Sequence, residues 1–293
     1  MVDGNKEKVL VTGGAGFIGS NLCEKLIKLE KYEVFSVDNY STGSTDNHVE
    51  GVNYVRGNTE DIARLIDFNP RMVFHLGEYS RVEQSFDDFE QVWQSNIRGT
   101  QSIVKFCKSR NSKLVYAGSS TKFGDGGLGR FQSPYGWTKA TNTELIKAYS
   151  SWYGLDYAIA YFYNAYGPRE IKSGPYATLI ASFAERMKNN QVLTVVTPGT
   201  QKRNFTHVKD IVSGLIIVGK KGSGDEYGIG HPDSFSVLEV ADFFGGEIEM
   251  LPTRRGNRMN AQIVVNKTLD LGWKAKHSVS EYIEKLRKNN WQQ

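Results

Sequence analysis

The chain has 293 residues, which exceeds the usual size of one simple domain and is short for two independent ones. Its 36 basic and 32 acidic residues give a net charge of +4, and no Lys/Arg block resembles a nucleic-acid-binding arm, so we expect no nucleic-acid partner. No apolar run approaches the roughly 18 residues of a membrane span, and residues 1–8 lack a signal-peptide pattern. We therefore expect a cytoplasmic protein without a membrane partner.

Short apolar runs alternate with longer amphipathic segments through the first half of the chain. Strands are predicted at Val9–Thr12, Val34–Asp38, Met72–Leu76, Leu114–Gly118 and Ala158–Phe162. Helices are predicted at Asn21–Leu29, Val92–Ser109 and Lys139–Trp152. This alternation predicts an α/β fold with a parallel sheet covered by helices on both faces, the doubly wound arrangement of Rossmann domains.

After Gly167-Pro168 the pattern becomes irregular and rich in Gly, Thr and Arg, with one predicted helix at Thr178–Lys188. The apolar run Ile211–Val218 predicts a helix that returns to the main domain. We therefore expect a main domain of residues 1–165 plus roughly 203–231, and a smaller substrate-holding lobe of residues 166–202 and 232–293.

Cysteine and histidine spacing gives no sign of a metal site. Cys23 and Cys107 are far from any CxxC spacing, and no two of the five histidines stand at metal-ligand spacing. We expect two buried free thiols and no bound metal.

A glycine-rich turn follows the first predicted strand and leads directly into a helix. Gly13 makes the turn, Gly16 lets the backbone approach a pyrophosphate, and Gly19 lets the helix pack closely against the strand. Such a turn also occurs for purely structural reasons, so its context matters. The second strand ends about twenty residues later at Asp38, whose carboxylate suits the adenosine ribose hydroxyls.

No Arg or Lys lies between Asn39 and Asn47 to hold a 2′-phosphate, and Asp38 would repel one. The sequence therefore predicts NAD, rather than NADP, as the cofactor. A solvated turn aspartate is the alternative interpretation of Asp38.

Tyr135 and Lys139 are four residues apart, so on a helix they share one face. An ammonium beside a phenol favours the phenolate, which is a useful general base near neutral pH. The predicted strand at Leu114–Gly118 is followed by hydroxyl side chains from Ser119 to Thr121, at the sheet edge where ligands bind. By itself the Tyr–Lys spacing is common, and an exposed pair without function is the alternative.

With these motifs in order, the chain resembles the extended short-chain dehydrogenase/reductases, specifically the NAD-dependent nucleotide-sugar epimerase and dehydratase group. The resemblance runs nearly end to end through TGGAGFIGS, SSTKFGD, SPYGWTK, YFYNAYGPR, RNFTHVKD and the late LGW. It implies a catalytic set of Ser119, Tyr135 and Lys139, with Thr121 in place of Ser119 if the register is shifted. It also implies a nucleotide-sugar substrate and a homodimer paired through the helices at Val92–Ser109 and Lys139–Trp152.

The resemblance further assigns residues to the two ligands. Around the cofactor it implies Gly13, Gly16, Phe17, Ile18, Gly19, Asp38, Asn39, Asn58, Leu76, Gly77, Glu78 and Asn96, besides Tyr135 and Lys139. Around the substrate it implies Arg81, Ser119, Thr121, Asn164, Arg203 and Arg254, of which the last two match arginines that hold a nucleotide diphosphate. Ordinary surface arginines are the alternative at those two positions.

Several positions depart from the family pattern. Asn58 stands where an aspartate is usual, and Glu78 and Arg81 replace small residues beside the cofactor and the sugar. The segment from Phe123 to Tyr135 is shorter than usual, which predicts a more open pocket.

Together these features predict NAD-dependent oxidation at carbon 4 of a nucleotide-linked sugar, and first of all a 4-epimerase. One alternative is a 4-dehydrogenase for a nucleotide-linked hexose or heptose that feeds surface-polysaccharide synthesis. A 4,6-dehydratase is less favoured, because Thr121 stands where the dehydratases carry an acid, although Glu78 could substitute. Outside enzymes, an NAD sensor or a nucleic-acid-binding relative that retains only the fold is the remaining alternative.

Overall fold

The computed structural model of the chain describes residues 6–253 and 263–292. Seven parallel strands form its central sheet: β1 (Glu7–Thr12), β2 (Tyr32–Asp38), β3 (Val52–Arg56), β4 (Met72–His75), β5 (Lys113–Ser119), β6 (Tyr157–Phe162) and β11 (Gly224–Ile229). Their order across the sheet is β11-β6-β5-β4-β1-β2-β3. The central strands are almost wholly buried, as expected of a parallel sheet that is covered on both faces.

Helices connect these strands and cover the two faces of the sheet. They are α1 (Phe17–Ile27), α2 (Ile62–Leu65), α3 (Phe89–Val92), α4 (Gly99–Ser109), α5 (Pro134–Tyr153) and α7 (Val208–Lys221). A π-helical segment, Trp93–Arg98, joins α3 to α4, and a run of 3-10 turns, Ser120–Phe131, joins β5 to α5. One apolar core lies under α1 and α7 and the other under α4 and α5. In the part of the chain that is described, no helix combines the length and apolar character needed to cross a membrane.

The remaining elements build a smaller body beside the carboxyl ends of the sheet strands. Its helices are α6 (Leu179–Lys188), α8 (Val237–Phe244) and α10 (Val279–Lys288), whereas α9 (Asn266–Asp270) packs against β11 of the main sheet. Its strands form two-residue or four-residue pairs: β7 (Ala165–Tyr166), β8 (Leu193–Val196), β9 (Lys202–Arg203), β10 (Thr206–His207), β12 (Phe235–Ser236) and β13 (Ile248–Leu251). A third apolar core packs α6, α8 and α10 together.

The predicted α/β fold with a doubly wound parallel sheet is confirmed. All five predicted strands are present, but the sequence interpretation missed β3 and β11. β3 is an edge strand with no fully buried residue, and β11 begins with Gly224, Asp225 and Glu226, so neither has a continuous apolar run. The predicted helices are each present, although α5 begins at Pro134, earlier than expected.

The chain returns to the main sheet after residue 206. Val208, Ile211 and Leu215 on α7 pack into the core beneath β1 and β4, and β11 pairs with β6. This arrangement agrees with a second lobe that is discontinuous in sequence. The division into residues 1–165 plus 203–231 and residues 166–202 plus 232–293 stays a prediction.

Candidate active site

The glycine-rich turn packs tightly against the end of β4. Gly13 has φ +74°, and a Cβ built there would lie 2.9 Å from Cα of Gly77. A Cβ on Gly19 would lie 2.0 Å from the carbonyl oxygen of Gly13. Only glycine fits at either position without displacing backbone. Gly16 is the N-cap of α1 and no side chain caps that helix end, so backbone N–H groups are available to an anion.

Asp38 ends β2 and is 7% exposed. Its Oδ2 accepts a hydrogen bond from the backbone N–H of Ala15 at 2.9 Å, and its Oδ1 accepts one from Tyr40 at 2.8 Å. The carboxylate therefore fixes the glycine-rich turn while it borders the cleft, and each oxygen retains a lone pair for a ribose hydroxyl. The tight glycine cradle, the open helix end and this acidic group together fit a dinucleotide such as NAD.

A single cleft of about 1400 Å³ runs from this turn to the smaller body. It brings together all the described residues that the sequence assigns to cofactor or substrate except Asn96. The cofactor residues on its wall are Gly13, Gly16, Phe17, Ile18, Gly19, Asp38, Asn39, Asn58, Leu76, Gly77, Glu78, Tyr135 and Lys139. The substrate residues on its wall are Arg81, Ser119, Thr121, Asn164 and Arg203.

One assigned residue, Asn96, does not line the cleft, and a second, Arg254, is not among the described residues. Asn96 is fully buried and does not line the cleft; it accepts from the backbone N–H of Tyr79 at 2.7 Å and donates to Thr138 Oγ1 at 3.0 Å. Asn96 therefore holds the loop after β4 in place from the side that faces away from the cleft. Arg254 lies outside the described residues.

Ser119 is the last residue of β5 and is 8% exposed. Its hydroxyl lies 2.8 Å from that of Thr121, and it accepts from the backbone N–H of Thr121 at 3.3 Å. The two hydroxyls that the sequence left open as alternatives therefore form one hydrogen-bonded pair. Ser119 occupies the strand end, and Thr121 stands beyond it on the same cleft wall.

Tyr135 lies in the first turn of α5, and local sequence explains why the helix begins there. Ser133 is the N-cap and accepts from the backbone N–H of Gly136 at 3.0 Å, while Pro134 occupies the first helical position. The backbone N–H of Tyr135 donates to Ser85 at 3.3 Å, which fixes the start of α5 against the loop after β4. The Tyr135 side chain borders the cleft and is partly buried.

Lys139, one helical turn further on, is 6% exposed and ion-paired with Glu78. Its ammonium also donates to the carbonyl oxygen of Ala117 and lies 4.7 Å from the ring centroid of Tyr116. Two of its three N–H donors are thus committed within the protein, and one is left for a ligand such as the nicotinamide ribose.

Glu78 has a side chain that is only 2% exposed and accepts from several donors besides Lys139. Its Oε1 accepts from Thr100 at 2.8 Å, from Asn142 at 2.8 Å and from Tyr116 at 3.1 Å. Burial, and then the neighbouring Glu78 charge, raises the pKa of Tyr116 well above its ordinary value, so Tyr116 remains a hydrogen-bond donor. The carboxylate is thereby compensated on every side.

The network continues from Thr100 to the glycine-rich turn. Thr100 lies 3.0 Å from Nε2 of His75, and Nδ1 of His75 lies 2.7 Å from the hydroxyl of Thr12. Thr12 in turn accepts from the backbone N–H groups of Leu76 and Gly77. Since Thr100 donates to Glu78, His75 donates through Nε2 and accepts at Nδ1. Burial lowers the pKa of His75 to about 4, which keeps the ring neutral.

Arg81 lines the cleft on the substrate side of Glu78. Its Nη2 donates to the backbone oxygen of Tyr176 at 2.7 Å, and its Nε is buried without a partner. Burial lowers the pKa of this guanidinium, against smaller opposing electrostatic effects of the surrounding tyrosines and Glu170. Within the described residues Arg81 forms no salt bridge.

The far end of the cleft has a residue that the sequence interpretation missed. Gln201 is 5% exposed, lines the cleft, and its Oε1 has no partner among the described residues. Gln201 stands two residues before Arg203, which also lines the cleft, and alternate residues of an extended segment share a face. The spacing of two residues from Arg203 is the feature of the sequence that could have predicted Gln201 as a cleft residue. Asn164, with φ +30°, borders the same region.

A parallel Rossmann-type sheet, a glycine cradle, a buried aspartate at the end of β2 and a Ser/Tyr/Lys set thus meet at one cleft. The family model described as "NAD dependent epimerase/dehydratase family" matches residues 9–230. The chain belongs to this family, and its cofactor is NAD.

Similar proteins share the architecture over their whole length. The chain is 30% identical to a putative UDP-glucose 4-epimerase from Methanocaldococcus jannaschii, covering 97% of each chain. It is 29% identical to UDP-glucuronic acid decarboxylase 6 from Arabidopsis thaliana, covering 94% of this chain and 86% of that one. The crystal structure of UDP-glucose 4-epimerase from Thermus thermophilus with NAD is 28% identical, with a TM-score of 0.86 over 97% of this chain and 98% of that one.

Proposed function

We propose that this chain oxidises carbon 4 of a nucleotide-linked sugar with NAD and returns the hydride to give the 4-epimer. The observation that carries the proposal is that Ser119, Tyr135 and Lys139 line the same cleft as the glycine cradle and Asp38. The similarity to 4-epimerases over nearly the full length of the chain supports the same reaction.

In this mechanism Tyr135 is the general base and takes the proton of the reacting hydroxyl. Ser119 donates a hydrogen bond to the reacting oxygen, and Thr121 holds the Ser119 hydroxyl in place through their 2.8 Å contact. Lys139 offers its remaining N–H to the nicotinamide ribose. NAD bound between the glycine cradle and Lys139 would supply the hydride acceptor for the oxidation and, once reduced, the hydride donor for the return to the sugar.

At the other end of the cleft, Asn164, Gln201 and Arg203 hold the diphosphate. The sequence adds Arg254 to this group, which lies outside the described residues. A guanidinium offers forked donors that match phosphate oxygens. Anchoring the diphosphate far from the reacting carbon makes proton and hydride transfer effectively intramolecular, which contributes several kcal/mol to catalysis of this kind, about 7 or more in favourable cases.

A 4,6-dehydratase is the less favoured reaction because the described part of the site provides no evident acid for loss of water. Thr121 stands at the position where such an acid is expected, and Glu78 accepts from Lys139, Thr100, Tyr116 and Asn142. The Glu78 side chain is thus committed to four donors within the protein. A 4-dehydrogenase remains the second candidate, since its chemistry is the first half of the epimerase reaction.

The test is to incubate the NAD-loaded protein with a panel of nucleotide sugars and to analyse the products by mass and NMR. An unchanged mass with inverted carbon 4 supports the epimerase. Loss of two hydrogens identifies the dehydrogenase, and loss of water identifies the dehydratase; either outcome contradicts the proposal.

The matched variant for this test is Tyr135→Phe, which removes one oxygen and keeps the ring. General-base assistance contributes about 100- to 10,000-fold in rate, so single-turnover reduction of bound NAD should fall at least about 100-fold. NAD binding should be retained. A normal rate of NAD reduction in this variant would show that Tyr135 is not the base.

We also propose that the chain is a homodimer paired through α4 and α5. In support, α5 carries the exposed aromatic residues Trp137, Trp152 and Tyr153, and Trp137 stacks on Trp93 with ring centroids 5.8 Å apart. Sedimentation at micromolar concentration tests this proposal. A monomeric mass would contradict it.

A further inference from the structure

The Lys139 ammonium is held in one place by groups from two different elements. It is ion-paired with Glu78 of the loop after β4, and it donates to the carbonyl oxygen of Ala117 in β5. The ammonium also lies 4.7 Å from the ring centroid of Tyr116. A lysine side chain is long and flexible, so an ammonium in a defined position needs contacts that offset the loss of rotamer freedom. The Glu78 carboxylate is the charged member of this set.

Glu78 is itself fixed from the side away from Lys139. Its Oε2 meets the ammonium, whereas its Oε1 accepts three other hydrogen bonds. These come from Thr100 on α4 at 2.8 Å, from Asn142 on α5 at 2.8 Å and from Tyr116 on β5 at 3.1 Å. The two carboxylate oxygens therefore have separate tasks. One anchors the Glu78 side chain in the protein, and the other holds the lysine.

The Glu78 side chain is 2% exposed, so it offers almost no surface to a ligand. Any effect of its carboxylate on a ligand must pass through a group that it contacts, and of its four hydrogen-bond partners only Lys139 lines the cleft. Resting on the proposed function, in which Lys139 offers its remaining N–H to the nicotinamide ribose, we infer that Glu78 is a positioning residue for the cofactor. It fixes the ammonium so that this remaining donor is available to the ribose.

The position requires a carboxylate, and an amide of the same shape does not replace it. In Glu78→Gln the three donors that now meet Oε1 retain the amide oxygen, because an amide nitrogen cannot accept a hydrogen bond. The amide NH2 group then faces the Lys139 ammonium, donor against donor. The ammonium keeps the Ala117 carbonyl oxygen as its acceptor and is no longer held from two sides.

The experiment measures the affinity of the full chain for two ligands by isothermal titration calorimetry. ADP carries the adenosine ribose and the diphosphate of NAD but has no nicotinamide ribose. In the proposed function ADP therefore contacts the glycine-rich turn and Asp38, whereas NAD also contacts Lys139. Gly77 of the loop after β4 packs against Gly13, so general damage to this loop would weaken the binding of both ligands.

We expect Glu78→Gln to weaken NAD binding by about 10-fold or more, the usual contribution of one hydrogen bond that involves a charged group. The affinity for ADP should be unchanged. Glu90→Gln, which neutralises an exposed carboxylate on α3, is the matched control and should bind both ligands as the parent does.

A double-mutant cycle with Lys139→Met tests whether Glu78 acts through the lysine. Lys139→Met should weaken NAD binding by itself, and adding Glu78→Gln to it should weaken NAD binding little further. The double variant should also melt at a higher temperature than Lys139→Met, because the latter leaves a buried carboxylate without its cation. If circular dichroism shows that Lys139→Met does not fold, Lys139→Gln replaces it, since its neutral amide can still donate to Glu78.

The inference is wrong if Glu78→Gln leaves the NAD affinity unchanged, or if it weakens ADP binding as much as NAD binding. It is equally wrong if Glu78→Gln lowers the NAD affinity by the same factor with and without Lys139. None of these measurements uses a sugar. An absence of turnover with every nucleotide sugar would therefore contradict the proposed function without affecting this result.

Discussion

The neutral His75 at the centre of the buried network makes a specific prediction about stability and pH. Burial lowers its pKa from 6.5 to about 4 in the folded protein. As the pH falls below 6.5, the unfolded chain binds a proton that the folded protein does not bind until about pH 4. The contribution of His75 to stability is thus fully present above pH 6.5 and is lost as the pH falls toward 4.

The magnitude follows from the two pKa values. Between about pH 7.5 and about pH 5 the linkage relation gives a loss of about 2 kcal/mol from this one group. His75→Gln cannot be protonated in this range, and it should be less stable at neutral pH because the contacts to Thr12 and Thr100 are altered. Between these two pH values the free energy of unfolding of the parent should nevertheless fall by about 2 kcal/mol more than that of His75→Gln.

The assay is urea unfolding of parent and variant at these two pH values in the same cofactor state. His48→Gln, which replaces an exposed histidine, is the matched control and should follow the parent. Equal losses of unfolding free energy in the parent and in His75→Gln would refute the assignment of a neutral, buried His75.

Four further variants test the site. Asp38→Ala removes the acceptor of two backbone N–H groups, and each such hydrogen bond to a charged acceptor contributes about 1.5 to 3 kcal/mol. Both the NAD affinity, measured by calorimetry, and the melting temperature should therefore fall. Equal affinity of the parent for NAD and NADP would contradict the ribose assignment. Gly19→Ala should abolish measurable NAD binding, because its Cβ would lie 2.0 Å from the Gly13 carbonyl oxygen. Ser119→Ala should slow hydride transfer in stopped-flow reduction of NAD more than Thr121→Ala does, and the reverse order would assign the catalytic hydroxyl to Thr121.

Local patterns in the sequence predict most of the main sheet and the position of the glycine-rich turn. Buried parallel strands are continuous apolar runs, and β1, β4 and β5 have that signature, whereas the polar start of β11 does not. The spacing of the glycines and the aspartate at the end of β2 likewise indicate conformations that depend mainly on the local sequence. These features could be predicted because they require no knowledge of distant contacts.

The arrangement of charge in the cleft could not be predicted in this way. Glu78 is visible in the sequence as an unusual residue, but its partners Lys139, Tyr116 and Asn142 are up to 64 residues away. Whether a carboxylate meets an ammonium depends on how the loop after β4 packs against α5. Asn96 illustrates the same limit, since its hydrogen bonds to Tyr79 and Thr138 depend on how that loop packs against α5.

The π-helical segment Trp93–Arg98 bears on how this chain should be aligned with others. A π turn accommodates one more residue than an α-helical turn, so deleting one residue here would convert the segment to a regular helix and move the residues within it, while the flanking turns keep their faces. Asn96 would then lose its bonds to Tyr79 and Thr138. An alignment gap inside a helix is ordinarily treated as an error. In this helix a one-residue gap would instead mark relatives that hold the loop bearing Glu78 and Arg81 in a different way.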